Sequence, residues 1–129
     1  MLKPRLIISL LVDSNQHLVK TIDFTKRHYL GDPLNSAYIF SGFEVDELLV
    51  LDIDASLEKR TISFDFVEAL ASFTSVPLTV GGGISHTSQI KKLLSFGVEK
   101  VALSSRISNN LSLLKDAVNQ FGSSSISVL

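Results

Sequence analysis

Cysteine is absent from all 129 residues. That absence removes disulfides, thiolate metal sites and a cysteine nucleophile together, and it fits a reducing compartment, with the cytoplasm as the expected setting. An excess of either charge is missing too. Twelve Lys and Arg stand against 13 Asp and Glu, for a formal net charge of -1, and they are scattered rather than gathered in a stripe. Nucleic acid and anionic membrane surfaces therefore drop out as expected partners, and a small molecule or another protein takes their place. No apolar stretch approaches the roughly 20 residues that cross a bilayer. The start, MLKPRLIISLLV, has the outline of a secretory signal, but its apolar part covers only residues 6–12. Pro4 interrupts the approach, and the polar DSNQH that follows offers no small-residue cleavage site.

What is present is an ordinary globular composition, 45% hydrophobic and 19% charged, enough for one core and one domain over residues 1–129. Short apolar runs recur at 6–12 (LIISLLV), 48–53 (LLVLDI), 77–80 (PLTV), 101–104 (VALS) and 125–129 (SISVL). They are continuous rather than alternating, the pattern of strands buried on both faces. Helical patterns lie between them. Asp32 stands as N-cap before Pro33. Ile62, Phe66, Leu70 and Phe73 form one apolar stripe, and Leu111, Leu114, Val118 and Phe121 form another. Gly97 and Gly122 fall where left-handed C-caps belong. The expected order is β-α-β-α-β-α-β-α-β around a parallel sheet. Residues 42–51 echo 97–103 faintly, and the polar stretch 13–31 reads as an irregular, functional connection.

Three places carry chemistry. VGGGIS at 80–85 sets three glycines between a strand and a helix, where backbone N–H groups can approach an anion; the alternative is a tight turn without a ligand. Ser104 and Ser105 form a second turn of this kind after the next strand, so that Gly82, Gly83, Ser104 and Ser105 make a candidate phosphate site. LDIDAS places Asp52 and Asp54 on one side of a strand end by period-two alternation, as candidate catalytic or orienting carboxylates, or simply as loop caps. His17, His28 and His86 have no metal-ligand spacing, and neither a metal nor a cofactor is expected.

Over its whole length the chain resembles the N-terminal half of the cyclase subunit of imidazole glycerol phosphate synthase, a (βα)₈-barrel of histidine biosynthesis. The resemblance rests on RLII at 5–8, LVK at 18–20, GDP at 31–33, DELLVLDI at 46–53, PLTVGGGI at 77–84, Lys100-Val101 and FGS at 121–123. It implies an α/β fold comprising the first four βα units and strand five of the barrel. It also implies a glutaminase partner whose ammonia travels along the barrel axis to a phosphorylated substrate, with no cofactor. By the same resemblance, Arg5, Glu47 and Lys100 belong to a salt-bridged gate around the ammonia entrance, Glu99 faces the glutaminase, and Lys20 lies in a mobile loop over the active site. Asn-Thr is common in the family where this chain has Ser104-Ser105.

The departures point further. The family's cyclase chemistry uses an aspartate near the end of strand one, and that position is Leu11 here; its second aspartate would follow Leu129. Asp13, two residues on, would carry its side chain past the rim. Leucine at this position and the LDIDA form of the second strand are similar to a cyclase-like branch associated with surface-polysaccharide genes. There the implied task is delivery of ammonia for sugar amidation. The alternatives are a histidine-pathway cyclase (a lyase) and a non-catalytic half-barrel. A complete barrel runs to about 250 residues, so a piece of a longer chain is expected. A half-barrel by itself is expected to associate through its exposed edges, for instance as a homodimer.

Overall fold

The computed structural model describes residues 4–22, 26–43, 45–104 and 110–129, and for residues 21, 22, 26–29 and 110 it describes the backbone. Five strands run parallel: β1 (Ile7–Val12), β4 (Glu47–Asp52), β5 (Leu78–Gly81), β6 (Lys100–Leu103) and β7 (Ile126–Val128). Between them lie α1 (Pro33–Ser41), α2 (Phe64–Phe73), α3 (Thr87–Ser95) and α4 (Asn110–Phe121). The fold is α/β with a mostly parallel sheet, consistent with half of a (βα)₈-barrel.

The stretch 13–31 departs from expectation. It holds an antiparallel hairpin, β2 (Leu18–Ile22) with β3 (Lys26–Gly31), and β2 pairs with β1 through Leu11 with Val19 and Val12 with Leu18. The described sheet order is β3-β2-β1-β4-β5-β6-β7. The reversal begins in a tight turn in which Asp13 accepts from the backbone N–H groups of Asn15 and His17 at 2.9 Å each. Leu18 and Val19 are buried, which anchors the hairpin.

Side-chain parity divides the sheet into two unlike faces. Ile8, Leu10 and Val12 of β1, Leu48 and Val50 of β4, Leu78 and Val80 of β5, and Val101 and Leu103 of β6 pack into one apolar cluster with Ala37, Phe66, Leu70, Ile90, Leu93, Leu113 and Ala117 of the helices. Burial of this cluster, at about 25 cal/mol per Å² of apolar surface, is the main force holding the described fold together. The helices begin as their caps dictate. Asp32 accepts from the Leu34 N–H at 3.1 Å with Pro33 in the first turn, and Ser63 accepts from the Phe66 N–H at 3.3 Å. Gly97 and Gly122 take φ of 96° and 86° after α3 and α4, as their positions require.

The stripe on α4 is rotated from the one expected. Leu113 and Ala117 are its buried residues, with Leu114 and Phe121 beside them, while Leu111 is 70% exposed. The stripe on α2 begins with Ile62 before the helix and fades at Phe73, which is half exposed.

Candidate functional site

Among the described residues no helix lies over the opposite face of the sheet, and strand register orders it into rows. Leu11 pairs with Leu51, Leu51 with Gly81, Gly81 with Ala102, and Ala102 with Ser127. These five residues share one face, so the row toward the C-terminal ends of the strands is apolar or small and carries no charge. It is closely fitted, because a side chain at Gly81 would meet Ala102 Cβ at 2.9 Å and a Leu51 methyl at 3.1 Å. One row toward the N-terminal ends, Ser9 aligns with Leu49, Leu49 with Thr79 and Thr79 with Lys100. Glu47 lies at the start of β4, in register with Ile7.

Charge gathers at this N-terminal end. Glu47 is only 5% exposed. Arg5 reaches its carboxylate at 3.6 Å, and the Thr79 hydroxyl donates to it at 2.5 Å. Sequence reading missed Thr79, which passes for an ordinary strand former. Lys100 opens β6 in register with Thr79, which places it at the same end of the sheet as Arg5 and Glu47. Glu99, one residue earlier, has an exposed side chain, while its N–H donates to Leu78 O at 2.8 Å.

The C-terminal rim is organised differently. β4 ends at Asp52, and Asp52 has the parity of Leu48 and Val50, the packed face, not that of Leu49 and Leu51. Its carboxylate, 6% exposed as a residue, accepts from the N–H groups of Asp54 and Ala55 at 3.0 Å each and from Arg60 Nη1 at 2.7 Å. Arg60 Nε donates to Glu58 at 2.7 Å. The hydrogen bond to Asp52, joined by Glu58, raises the guanidinium above the usual arginine range despite the opposing effect of desolvation, so Arg60 stays charged at any physiological pH. Asp54 lies beyond the strand, where alternation no longer applies, and accepts from the Ser14 N–H at 2.8 Å. The two carboxylates therefore accept from different N–H groups, and the Asp54 N–H is itself bound by Asp52. The sequence offered no signal for Arg60, since its partner is eight residues away across an irregular loop.

Gly82 (φ 139°) and Gly83 (φ 64°) adopt backbone conformations that favour glycine, and both press against the loop after β4. A Cβ on Gly82 would meet Asp52 O at 2.8 Å, and one on Gly83 would lie 1.7 Å from Arg60 O. Gly82 O accepts from the Ile62 N–H at 2.9 Å. Packing alone thus accounts for these glycines, and the same turn leads into α3, where Gln89 Oε1 accepts from the N–H groups of Ser85 and His86. Ser104 is exposed directly after β6, at the same edge as the glycine turn; Ser105 lies outside the described residues. Lys20 is exposed on β2, opposite His28. Asp13 is turned back into its own loop and to His17 Nδ1 at 3.8 Å, so it does not stand in for a carboxylate at Leu11. Among the described residues no three His, Asp or Glu side chains gather as a metal site, and no helix is long and apolar enough to cross a membrane.

A family model described as histidine biosynthesis protein matches residues 5–129. The chain belongs to this histidine biosynthesis protein family. Within it, the chain is 45% identical over 130 residues to a protein of Leptospira interrogans provisionally named imidazole glycerol phosphate synthase subunit HisF, covering 99% of this chain and 50% of that protein. A similarly named hisF2 protein of Pseudomonas aeruginosa is 38% identical over 122 residues, covering 95% of this chain and 49% of that protein. The imidazole glycerol phosphate synthase subunit HisF of an Exiguobacterium species is 41% identical over 128 residues, covering 99% and 50%. The chain spans about half the length of these curated relatives.

Proposed function

We propose that residues 1–129 form the N-terminal half of a cyclase-like barrel subunit of a glutamine amidotransferase, one that passes ammonia from a glutaminase partner to a phosphorylated small-molecule or sugar substrate in surface-polysaccharide amidation. The observation that carries this reading is the contrast along the open face. Charge stands at the N-terminal end, with Arg5 on Glu47 and Lys100 nearby, and the row Leu11, Leu51, Gly81, Ala102 and Ser127 is uncharged. General acid-base chemistry needs a titratable group within reach of the reacting atom, and this row supplies none. Passage of a small neutral amine needs only an entrance and a lined way.

In this reading Arg5, Glu47 and Lys100 gate the entrance, and Glu99 meets the glutaminase. Gly82, Gly83, Ser104 and Ser105 receive a phosphate, and Lys20 closes over it. Asp52 and Asp54, singled out as catalytic candidates, act by shaping the rim. The test is reconstitution of the protein with its glutaminase. Glutamine hydrolysis should rise on mixing, Glu47→Ala and Lys100→Ala should alter its coupling to ammonia transfer, and no imidazole glycerol phosphate should form. Formation of that product would replace the proposal with a histidine-pathway cyclase, the reading favoured by relatives such as the Exiguobacterium protein. Failure of any glutaminase to bind, together with failure of phosphate to protect the fold, would leave a non-catalytic half-barrel.

A further inference from the structure

Three loops at the C-terminal ends of β1, β4 and β5 meet, and the middle one is fastened to both neighbours. On one side Asp54 accepts from the Ser14 N–H at 2.8 Å. On the other, Ile62 N–H donates to Gly82 O at 2.9 Å, and Gly83 lies so close to Arg60 O that no Cβ fits between them. What fixes the middle loop is Arg60. Its Nη1 reaches Asp52 at 2.7 Å and Thr61 O at 3.2 Å, its Nε reaches Glu58 at 2.7 Å, and its own N–H donates to Ala55 O at 3.0 Å. Asp52 in turn accepts from Asp54 and Ala55 at the loop's beginning. The Arg60 guanidinium and the Asp52 carboxylate thus join the loop's two ends.

We infer that Arg60 is a positioning residue for the glycine turn: by clasping Asp52 and Glu58 it holds the loop after β4 in the shape against which Gly82 and Gly83 are set, and so fixes the direction of the N–H groups that an anion would meet. The inference rests on the glycine turn being a phosphate site. The competing role for an arginine at such a rim is direct contact with the phosphate, and the two roles predict opposite signs. With two carboxylates on it, Arg60 has little positive charge to offer an anion. As an anion ligand it would be released by removing Asp52; as a positioning residue it would lose its hold.

The experiment uses Asp52→Asn, which keeps an acceptor for the Asp54 and Ala55 N–H groups while weakening the Arg60 contact. Inorganic phosphate binding to the full chain should weaken about tenfold, the scale expected when preset donors are misplaced by a fraction of an ångström. Hydrogen exchange at the Ile62 and Ser14 amides should quicken by a similar factor, reporting local opening of the rim. Because Arg60→Met alone leaves a buried carboxylate uncompensated and risks unfolding, the neutral pair Asp52→Asn with Arg60→Met serves as the second variant and should show the same two changes. Tighter phosphate binding in Asp52→Asn, or unchanged exchange at Ile62 and Ser14 in the neutral pair, would overturn the inference. If the wild-type chain binds no phosphate while exchange still quickens, the phosphate reading falls and the clasp itself stands.

Discussion

Two glycines of this chain provide a matched comparison for how the rim is held. Gly83 and Gly97 both have positive φ, 64° and 96°, but a Cβ on Gly97 would have nothing within 4 Å, whereas one on Gly83 would lie 1.7 Å from Arg60 O. Real Cβ contacts stay beyond 3.0 Å, so Gly83→Ala must push the two backbones apart by at least 3.0 − 1.7 = 1.3 Å. Alanine in the left-handed region costs about 1–2 kcal/mol at either site. At Gly83 the displacement adds an overpacking cost of about 1–3 kcal/mol, because it also disturbs the Ile62 to Gly82 hydrogen bond and the Arg60 to Asp52 contact. The expected totals are about 2–5 kcal/mol for Gly83→Ala and about 1–2 kcal/mol for Gly97→Ala. Urea denaturation read as a midpoint shift at constant slope measures both. Equal losses at the two positions would refute the reasoning, since backbone conformation alone would then explain the glycine turn and its contact with Arg60 would count for nothing.

Three other outcomes follow from contacts described above. Asp32→Ala removes the acceptor for Leu34 N–H and should cost about 1 kcal/mol in the same denaturation assay, with α1 exchanging its first-turn amides faster. Thr79→Val keeps the shape of the side chain but takes away the hydroxyl that donates to buried Glu47, and should cost about 1–3 kcal/mol; a neutral result would mean that Glu47 is satisfied by Arg5 and water. The chain by itself should associate in a concentration-dependent way through its open face, with Ile7 48% exposed and Leu11, Leu49 and Leu51 part-exposed. Sedimentation that stays monomeric into the high micromolar range would contradict this.

The parallel strands and their helices were legible because an apolar core imposes long-range demands through local patterns: continuous runs for the strands, caps at Asp32, and glycines at 97 and 122. The hairpin of β2 and β3 escaped detection because its apolar residues are few and scattered, Leu18, Val19, Ile22 and Leu30, and a strand sequence rich in Lys, Arg and His looks like a loop. On α4 the stripe was misplaced by counting large residues: Ala117, fully buried, was ignored, while Leu111 was included. At the site, period-two reasoning was carried past the end of β4, which made Asp52 and Asp54 look like partners. Arg60 could not be found from sequence at all, since its role arises from where a turn returns it beside Asp52. By contrast, the placement of Leu11 was legible because it sits inside one continuous apolar run, and the register sets it beside Leu51.

The division between the two faces of the sheet bears on how such a chain can change over time. The apolar cluster that packs sheet against helices draws on one face of the strands, while Leu11, Leu49 and Leu51 lie outside that cluster. The contacts that hold the helices are thus made by alternate residues of the same strands. A side chain such as Leu11 can be exchanged without rearranging a single helix contact, and the open face can vary while the scaffold stays in use. The rim after β4 has less freedom, because its loop is tied to the loop after β1 by Asp54 and to the glycine turn by Ile62.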